Sequence, residues 1–222
     1  MKRLIITIDG PSGAGKTTVS KRLAQALGYR YIDTGALYRA VAVAAHEAGI
    51  AVDDENGLDA LCRRISIDLL PSEAGLRVML DGRDVTAAIR SPQISMLASA
   101  VSAQPVVRRF LLSLQRAFGI QRGVVAEGRD MGTVVFPSAE AKFFLDADPH
   151  IRARRRYEEL KLSRKGSPSL ESVEMDMVRR DRNDSTRPVA PLEPASDAVR
   201  IDSTDLSLEQ VVERMLQHIA QI

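Results

Sequence analysis

The sequence predicts an α/β fold built around a phosphate-binding loop and interrupted by a small antiparallel excursion. Three observations predict it. Residues 10–17 read GPSGAGKT and match the pattern G-x-x-x-x-G-K-[ST]. Short apolar runs at 4–8, 123–127 and 141–146 alternate with segments of helical period, as in βα units around a parallel sheet. Between 63 and 91 that alternation stops, and short runs follow one another across tight turns.

Residues 4–8 (LIITI) are a β-branched apolar run, read as a buried strand that feeds the loop. Gly10, Pro11, Ser12, Gly13, Ala14 and Gly15 form the loop, and Lys16, Thr17 and Thr18 open a helix. The three glycines allow the backbone N–H groups to crowd around an anion. Lys16 supplies a point charge for β- and γ-phosphates, and the Thr17 hydroxyl suits Mg²⁺. Val19, Leu23 and Leu27 then recur at helical spacing, and Gly28 takes the C′ position. The helix N-terminus points at the phosphates. These residues define a nucleotide-phosphate site.

Residues 29–33 (YRYID) predict a second strand ending in Asp33-Thr34-Gly35. A helix over 36–48, closed by Gly49, carries Tyr38 and Arg39 on its first turn. Residues 53–64 give a weaker helix broken by Gly57. Strands at 65–70, 76–80 and 84–86, separated by PSEAG and DGR turns, form an insertion over 63–91 of the kind that holds or covers substrate. Ser91-Pro92 opens a helix to Ala103, and Pro105 opens another to Phe118. They carry Ser99 and Arg108, to which spacing alone gives no role.

The run at 123–127 (GVVAE) ends in Gly128-Arg129-Asp130-Met131-Gly132. Ligands gather at the carboxyl ends of parallel strands. Glu127, Arg129 and Asp130 there are poor core residues, because unpaired buried charge is costly. The strand at 141–146 ends in Asp146, which competes with Glu127 as a metal-binding acid. Asp148-Pro149 opens a helix bearing Arg152, Arg154, Arg155 and Arg156. A polar loop at 163–168 follows, then a helix over 170–184 with Arg179, Arg180, Arg182 and Asp184, and then Arg187-Pro188. Arginine-rich helix ends around such a loop predict a lid over 152–170 that closes on a triphosphate. Residues 199–202 are a last strand, and Ser207 with Gln210 caps a final amphipathic helix over 208–219.

The chain of 222 residues is long enough for one domain with a full core. Lys+Arg 31 against Asp+Glu 29 gives +2, so no global field argues for nucleic acid or membrane. The single cysteine, Cys62, excludes an internal disulfide and suits a reducing cytoplasm. No run is long enough to span a bilayer, and the apolar run after Lys2 and Arg3 is too short for a signal sequence. No heptads or interface stripe stand out, so a monomer is expected.

Four motifs in order, IDGPSGAGKTT, IDTGALYRA, AEGRDMGTVVFP and RRDRNDSTRPVAPL, resemble the bacterial-type cytidylate (CMP/dCMP) kinases. The resemblance covers nearly the whole chain. It implies a nucleoside-monophosphate-kinase fold, with a five-stranded parallel sheet flanked by helices, a CMP-binding insertion at 63–91 and a short lid. It implies ATP, Mg²⁺ and CMP or dCMP as ligands. It places base recognition on Thr34, Arg108 and Asp130, and ribose contacts on Ser99, Arg180 and Asp184. It places the acceptor phosphate on Arg39, Arg129 and Arg187, and the ATP side on the loop, Lys16 and the lid arginines Arg152, Arg155 and Arg156. Thr17 and Glu127 are the metal candidates. Relatives often carry Gly after the loop lysine, where this chain has Thr17. Two other readings share the loop: a different P-loop kinase, such as a thymidylate or shikimate kinase, and a GTPase switch. The switch lacks its guanine-reading N-K-x-D motif here.

Overall fold

The computed structural model describes residues 3–72, 75–163 and 169–222. In chain order the elements are β1 (Ile5–Asp9), α1 (Lys16–Leu27), β2 (Arg30–Asp33), α2 (Thr34–Glu47), α3 (Glu55–Cys62), β3 (Ile67–Ser72), β4 (Gly75–Leu80), β5 (Arg83–Asp84), α4 (Pro92–Val101) and α5 (Pro105–Gly119). They continue as β6 (Val124–Gly128), β7 (Ala141–Asp146), α6 (Pro149–Ser163), α7 (Leu170–Thr186), β8 (Val199–Asp202) and α8 (Leu208–Ile219). The chain divides into two compact units, Met1–Ile32 with Phe118–Ile222, and Asp33–Ala117.

The first unit is organised on a five-stranded sheet of order β2-β6-β1-β7-β8. β1 runs parallel to both β6 and β7, and β7 parallel to β8. A strand flanked on both sides is buried on both faces, which is why β1 is apolar almost throughout. Val19, Leu23 and Ala24 of α1 share one apolar cluster with Val211, Val212 and Met215 of α8 and with Ile6, Ile8, Phe143 and Leu145 of the sheet. The capping box of α8 is present: Ser207 accepts from the Gln210 N–H, and the Gln210 side chain accepts from the Ser207 N–H. α6 and α7 pack on each other through Ala153, Leu160, Val173 and Met177. Residues 164–168, most of the predicted lid loop, lie outside the described residues.

In the second unit α2 is buried along most of its length, from Ala36 to Ala45. It packs against α3, α4 and β4. β3, β4 and β5 form a separate antiparallel sheet in sequence order.

Two local expectations are corrected, and one element has no counterpart in the sequence reading. α2 starts at Thr34, because the Asp33 carboxylate caps it by accepting from the Ala36 N–H at 3.0 Å. β3 runs through Pro71, expected as a turn, and pairs it with Leu76. An edge strand tolerates a residue without an N–H. After β6 the chain forms a π-helical turn, Met131–Val135, in which both Val134 and Val135 donate to the Asp130 carbonyl. Its wide i→i+5 closure has no sequence period of its own.

Candidate active site

The P-loop leaves the carboxyl end of β1. Gly10 has φ 148°, and a Cβ there would lie 1.9 Å from the Leu145 carbonyl oxygen, so only glycine passes this point. Gly15 has φ 89°, and nothing lies within 4 Å of where its Cβ would be. That side of the loop faces open space, which is what a cradle for an anion requires. Lys16 is only 7% exposed, and its Nζ donates to the Pro11 carbonyl at 2.6 Å. Burial, and then the charge of Arg129, pull its pKa down to about 7 against the pull of Glu127 and Asp9.

A network of charges surrounds Lys16. Arg129, just past β6, donates through Nε to Asp184 of α7 at 2.8 Å. Burial opposes the Asp184 charge, yet Arg129, Arg180 and Arg187 together hold its carboxyl below the usual range. Arg187 donates to the Ala190 carbonyl at 2.6 Å and stands 3.7 Å from the Asp130 carboxylate. Lys16, Arg129, Asp130, Arg180, Asp184 and Arg187 are thereby gathered into one charged cluster within the first unit.

The three arginines expected in a lid separate. Arg152 is buried and donates to the Ser12 carbonyl of the P-loop at 3.0 Å and to the Ala147 carbonyl at 3.0 Å. It also pairs with Asp181 of α7, which accepts from the Ser12 N–H at 3.3 Å. Arg155 is held instead on Ser203, through its carbonyl at 2.7 Å and its hydroxyl at 3.1 Å. Arg156 pairs with Glu159 on its own helix at 2.8 Å. Asp146 is exposed and accepts from the Ala147 N–H at 2.8 Å.

Two carboxylates in this cluster carried no sequence signal. Asp181 ties α7 to the loop. Asp9, 4% exposed at the end of β1, accepts from the backbone N–H groups of Met131 and Gly132, each at 2.8 Å. Burial pushes the Asp9 carboxyl up to about 7, while those two donors pull against the shift.

Thr17 and Thr18 are exposed on the first turn of α1. Glu127 is buried at the end of β6 and accepts from the Tyr31 hydroxyl. Among the described residues no cluster of three or more His, Cys, Asp or Glu is positioned to hold a metal. Mg²⁺ that arrives on substrate phosphates and keeps its waters needs no such cage. An open threonine hydroxyl beside the phosphate cradle fits that mode.

The other predicted residues belong to the second unit. Thr34 is buried at the first turn of α2. Arg39 lies one turn further on and pairs with Asp33 at 2.7 Å. Arg108 of α5 is buried, donates to the Ser102 carbonyl at 3.1 Å and lies over the Tyr38 ring, 5.5 Å from its centroid. Ser99 is buried on α4, and its carbonyl accepts from the Ser102 hydroxyl at 2.8 Å.

A parallel sheet whose first strand feeds a glycine-rich cradle, with a lysine and arginines around it, defines a kinase of the P-loop class. The match to known proteins is narrower: the family model described as cytidylate kinase covers residues 6–221. The chain belongs to the cytidylate kinase family. The cytidylate kinase of Syntrophotalea carbinolica is 55% identical over 221 residues, 99% of this chain and 93% of that protein. That of Geobacter sulfurreducens is 54% identical over 213 residues, 96% of this chain and 91% of that protein. Among solved structures, a gluconokinase from Sinorhizobium meliloti superposes with a TM-score of 0.52 at 17% identity, covering 99% of this chain and 94% of that one. It shares the fold alone. Family membership makes this chain an enzyme, a nucleotide-binding phosphotransferase that acts on cytidylate. Among the described residues, no helix is long and apolar enough to cross a membrane.

Proposed function

We propose that the protein transfers the γ-phosphoryl group of ATP to CMP or dCMP, giving ADP and CDP or dCDP, by in-line displacement with Mg²⁺. The observation that carries this reading is the charged cluster of Lys16, Arg129, Arg180 and Arg187 beside the P-loop. The acceptor is a phosphate oxygen already ionised at neutral pH, so no general base is required. Catalysis is then alignment and charge neutralisation. Residues 10–18 hold the ATP phosphates, and Lys16 meets the charge of the transferring group. Thr17, with Glu127 as the candidate acid, would hold Mg²⁺, which would supply charge neutralisation on the substrate phosphates. Arg39, Arg129 and Arg187 orient the CMP phosphate; Ser99, Arg180 and Asp184 hold the ribose; Thr34, Arg108 and Asp130 read the base.

The segment 63–91 serves as the CMP-side insertion and 152–170 as the lid. Of the lid arginines, Arg152 is the best placed for ATP, because its guanidinium already touches the loop. The enzyme works as a cytoplasmic monomer, a setting that suits its free, buried Cys62.

A coupled ADP-release assay with MgATP and each of CMP, dCMP, UMP, AMP, GMP and dTMP tests the reading. Rapid turnover on CMP and dCMP, with UMP far behind, is expected. Turnover on none of the six would overturn the acceptor.

A second expectation concerns pH. A Lys16 pKa near 7 leaves the amine mostly neutral at pH 8, whereas bound phosphates favour the ammonium form. ATP binding at pH 8 therefore takes up nearly one proton, and its Kd rises by up to ~10-fold per pH unit above pH 7. Calorimetry in two buffers of different ionisation enthalpy reads the uptake directly. No uptake would mean that Lys16 is already charged in the free enzyme.

A further inference from the structure

The turn that follows Arg129 and Asp130 is not capped by the residue at its own N-cap. Asp130 precedes the π-helical turn Met131–Val135 at the N-cap position, yet its carboxylate makes no capping bond to that turn. An aspartate in this place ordinarily accepts from the second or third N–H of the helix, here Gly132 or Thr133. Instead the Gly132 N–H, with the Met131 N–H before it, is taken by Asp9 from a strand 123 and 122 residues earlier in the chain. The turn also seats close against β1 and β7: a Cβ on Gly132 would come within 3.1 Å of the Thr7 hydroxyl and 3.2 Å of Lys142 Cδ.

We propose that Asp9 is a positioning residue for base recognition, capping the 131–135 turn from outside so that the Asp130 carboxylate is directed at the substrate instead of its own backbone. The inference rests on Asp130 as the reader of cytosine, proposed above. Geometry supports the division of labour. Both Asp9 oxygens are used, one on each N–H, at 2.8 Å, so the turn is fixed in translation and in tilt. The site is buried, where a missing partner for either N–H is costly. Asp9 also immediately precedes Gly10, so one carboxylate links the start of the ATP cradle to the loop that faces the nucleoside. The charged groups that act on it are Asp130 and Lys16, of opposite sign.

Asp9→Asn keeps the volume but turns one acceptor into an NH₂ donor aimed at a backbone N–H. The turn must then shift. Gly132→Ala keeps the carboxylate and crowds the same turn against the Thr7 hydroxyl and Lys142 Cδ, a contact that needs a few tenths of an ångström of relief. The readout is the ratio of kcat/KM for CMP to that for UMP, which does not depend on the fraction of enzyme folded. Each variant is expected to lower this ratio at least ~10-fold, against an upper limit of ~10⁴ for a buried polar contact. Asp130→Ala is measured beside them. If Asp130→Ala collapses the ratio while both other variants leave it at the wild-type value, the positioning role of Asp9 is overturned. If Asp130→Ala itself leaves the ratio unchanged, the base is read elsewhere and it is the underlying assignment that fails. Should Asp9→Asn yield no soluble enzyme, Gly132→Ala carries the test alone, and an unchanged ratio in it overturns the proposal.

Discussion

Lys16→Ala is expected to lower kcat by at least ~10²-fold, about 2.7 kcal/mol of lost transition-state stabilisation, the scale for removing one preorganised electrostatic contact. The amine is held at the head of α1 by the Pro11 carbonyl and is nearly excluded from water. It requires little reorganisation when charge develops on the transferring phosphoryl group. Unfolding is not expected to account for the loss. Burial already disfavours the Lys16 charge, so its removal relieves a desolvation cost, and Arg129 remains as a counter-charge to Glu127. Steady-state turnover with saturating MgATP and CMP, together with a circular-dichroism melt, checks both halves. Near-normal turnover would remove Lys16 from the mechanism, and a large fall in Tm would reassign the loss to stability.

The legible parts of this chain are those whose physics is local. The P-loop can be read because a strand, a glycine-rich turn and a helix start lie within two dozen residues. The capping box at Ser207 and the proline start at Pro92 are likewise short-range. The sheet edges blur for the same reason: Pro71 reads as a turn, and only pairing with β4 makes it strand. The site is partly legible. Arg129 and Asp130 stand out because charges at the end of an apolar strand demand a reason. The lid arginines could not be ranked, since Arg152, Arg155 and Arg156 share a helix face by spacing. What separates them is distant in sequence: Asp181 and Ser12 for Arg152, and Ser203 for Arg155. Asp9 was hidden for a similar reason. An acid after LIITI looks like the end of a strand, and its two partners lie more than a hundred residues on. Thr34, Ser99 and Arg108 had no signal beyond the family resemblance, because a buried hydroxyl or guanidinium shows no period.

Replacing Asp130 should produce the largest change in specificity. Cytosine presents an N4 amino donor where uracil presents a carbonyl, so a fixed carboxylate attracts one and repels the other. Asp130 is 2% exposed, and the Arg187 guanidinium, 3.7 Å away, fixes where its carboxylate lies. In Asp130→Ala both effects vanish. The CMP-over-UMP ratio of kcat/KM is expected to fall by at least ~10²-fold, with ~10⁴-fold as the ceiling for a site built around a polar contact. Asp130→Asn sharpens the test, because an amide can donate to the uracil carbonyl as well as accept from the amino group. Its ratio should approach unity through a gain on UMP, where Asp130→Ala reaches it mainly through a loss on CMP. The dCMP rate should fall in step with CMP in both variants, since the base and not the sugar is what Asp130 is proposed to read. An unchanged ratio would move base recognition to Arg108, the other charged residue assigned to the base, and Arg108→Met would then be the variant that erases it.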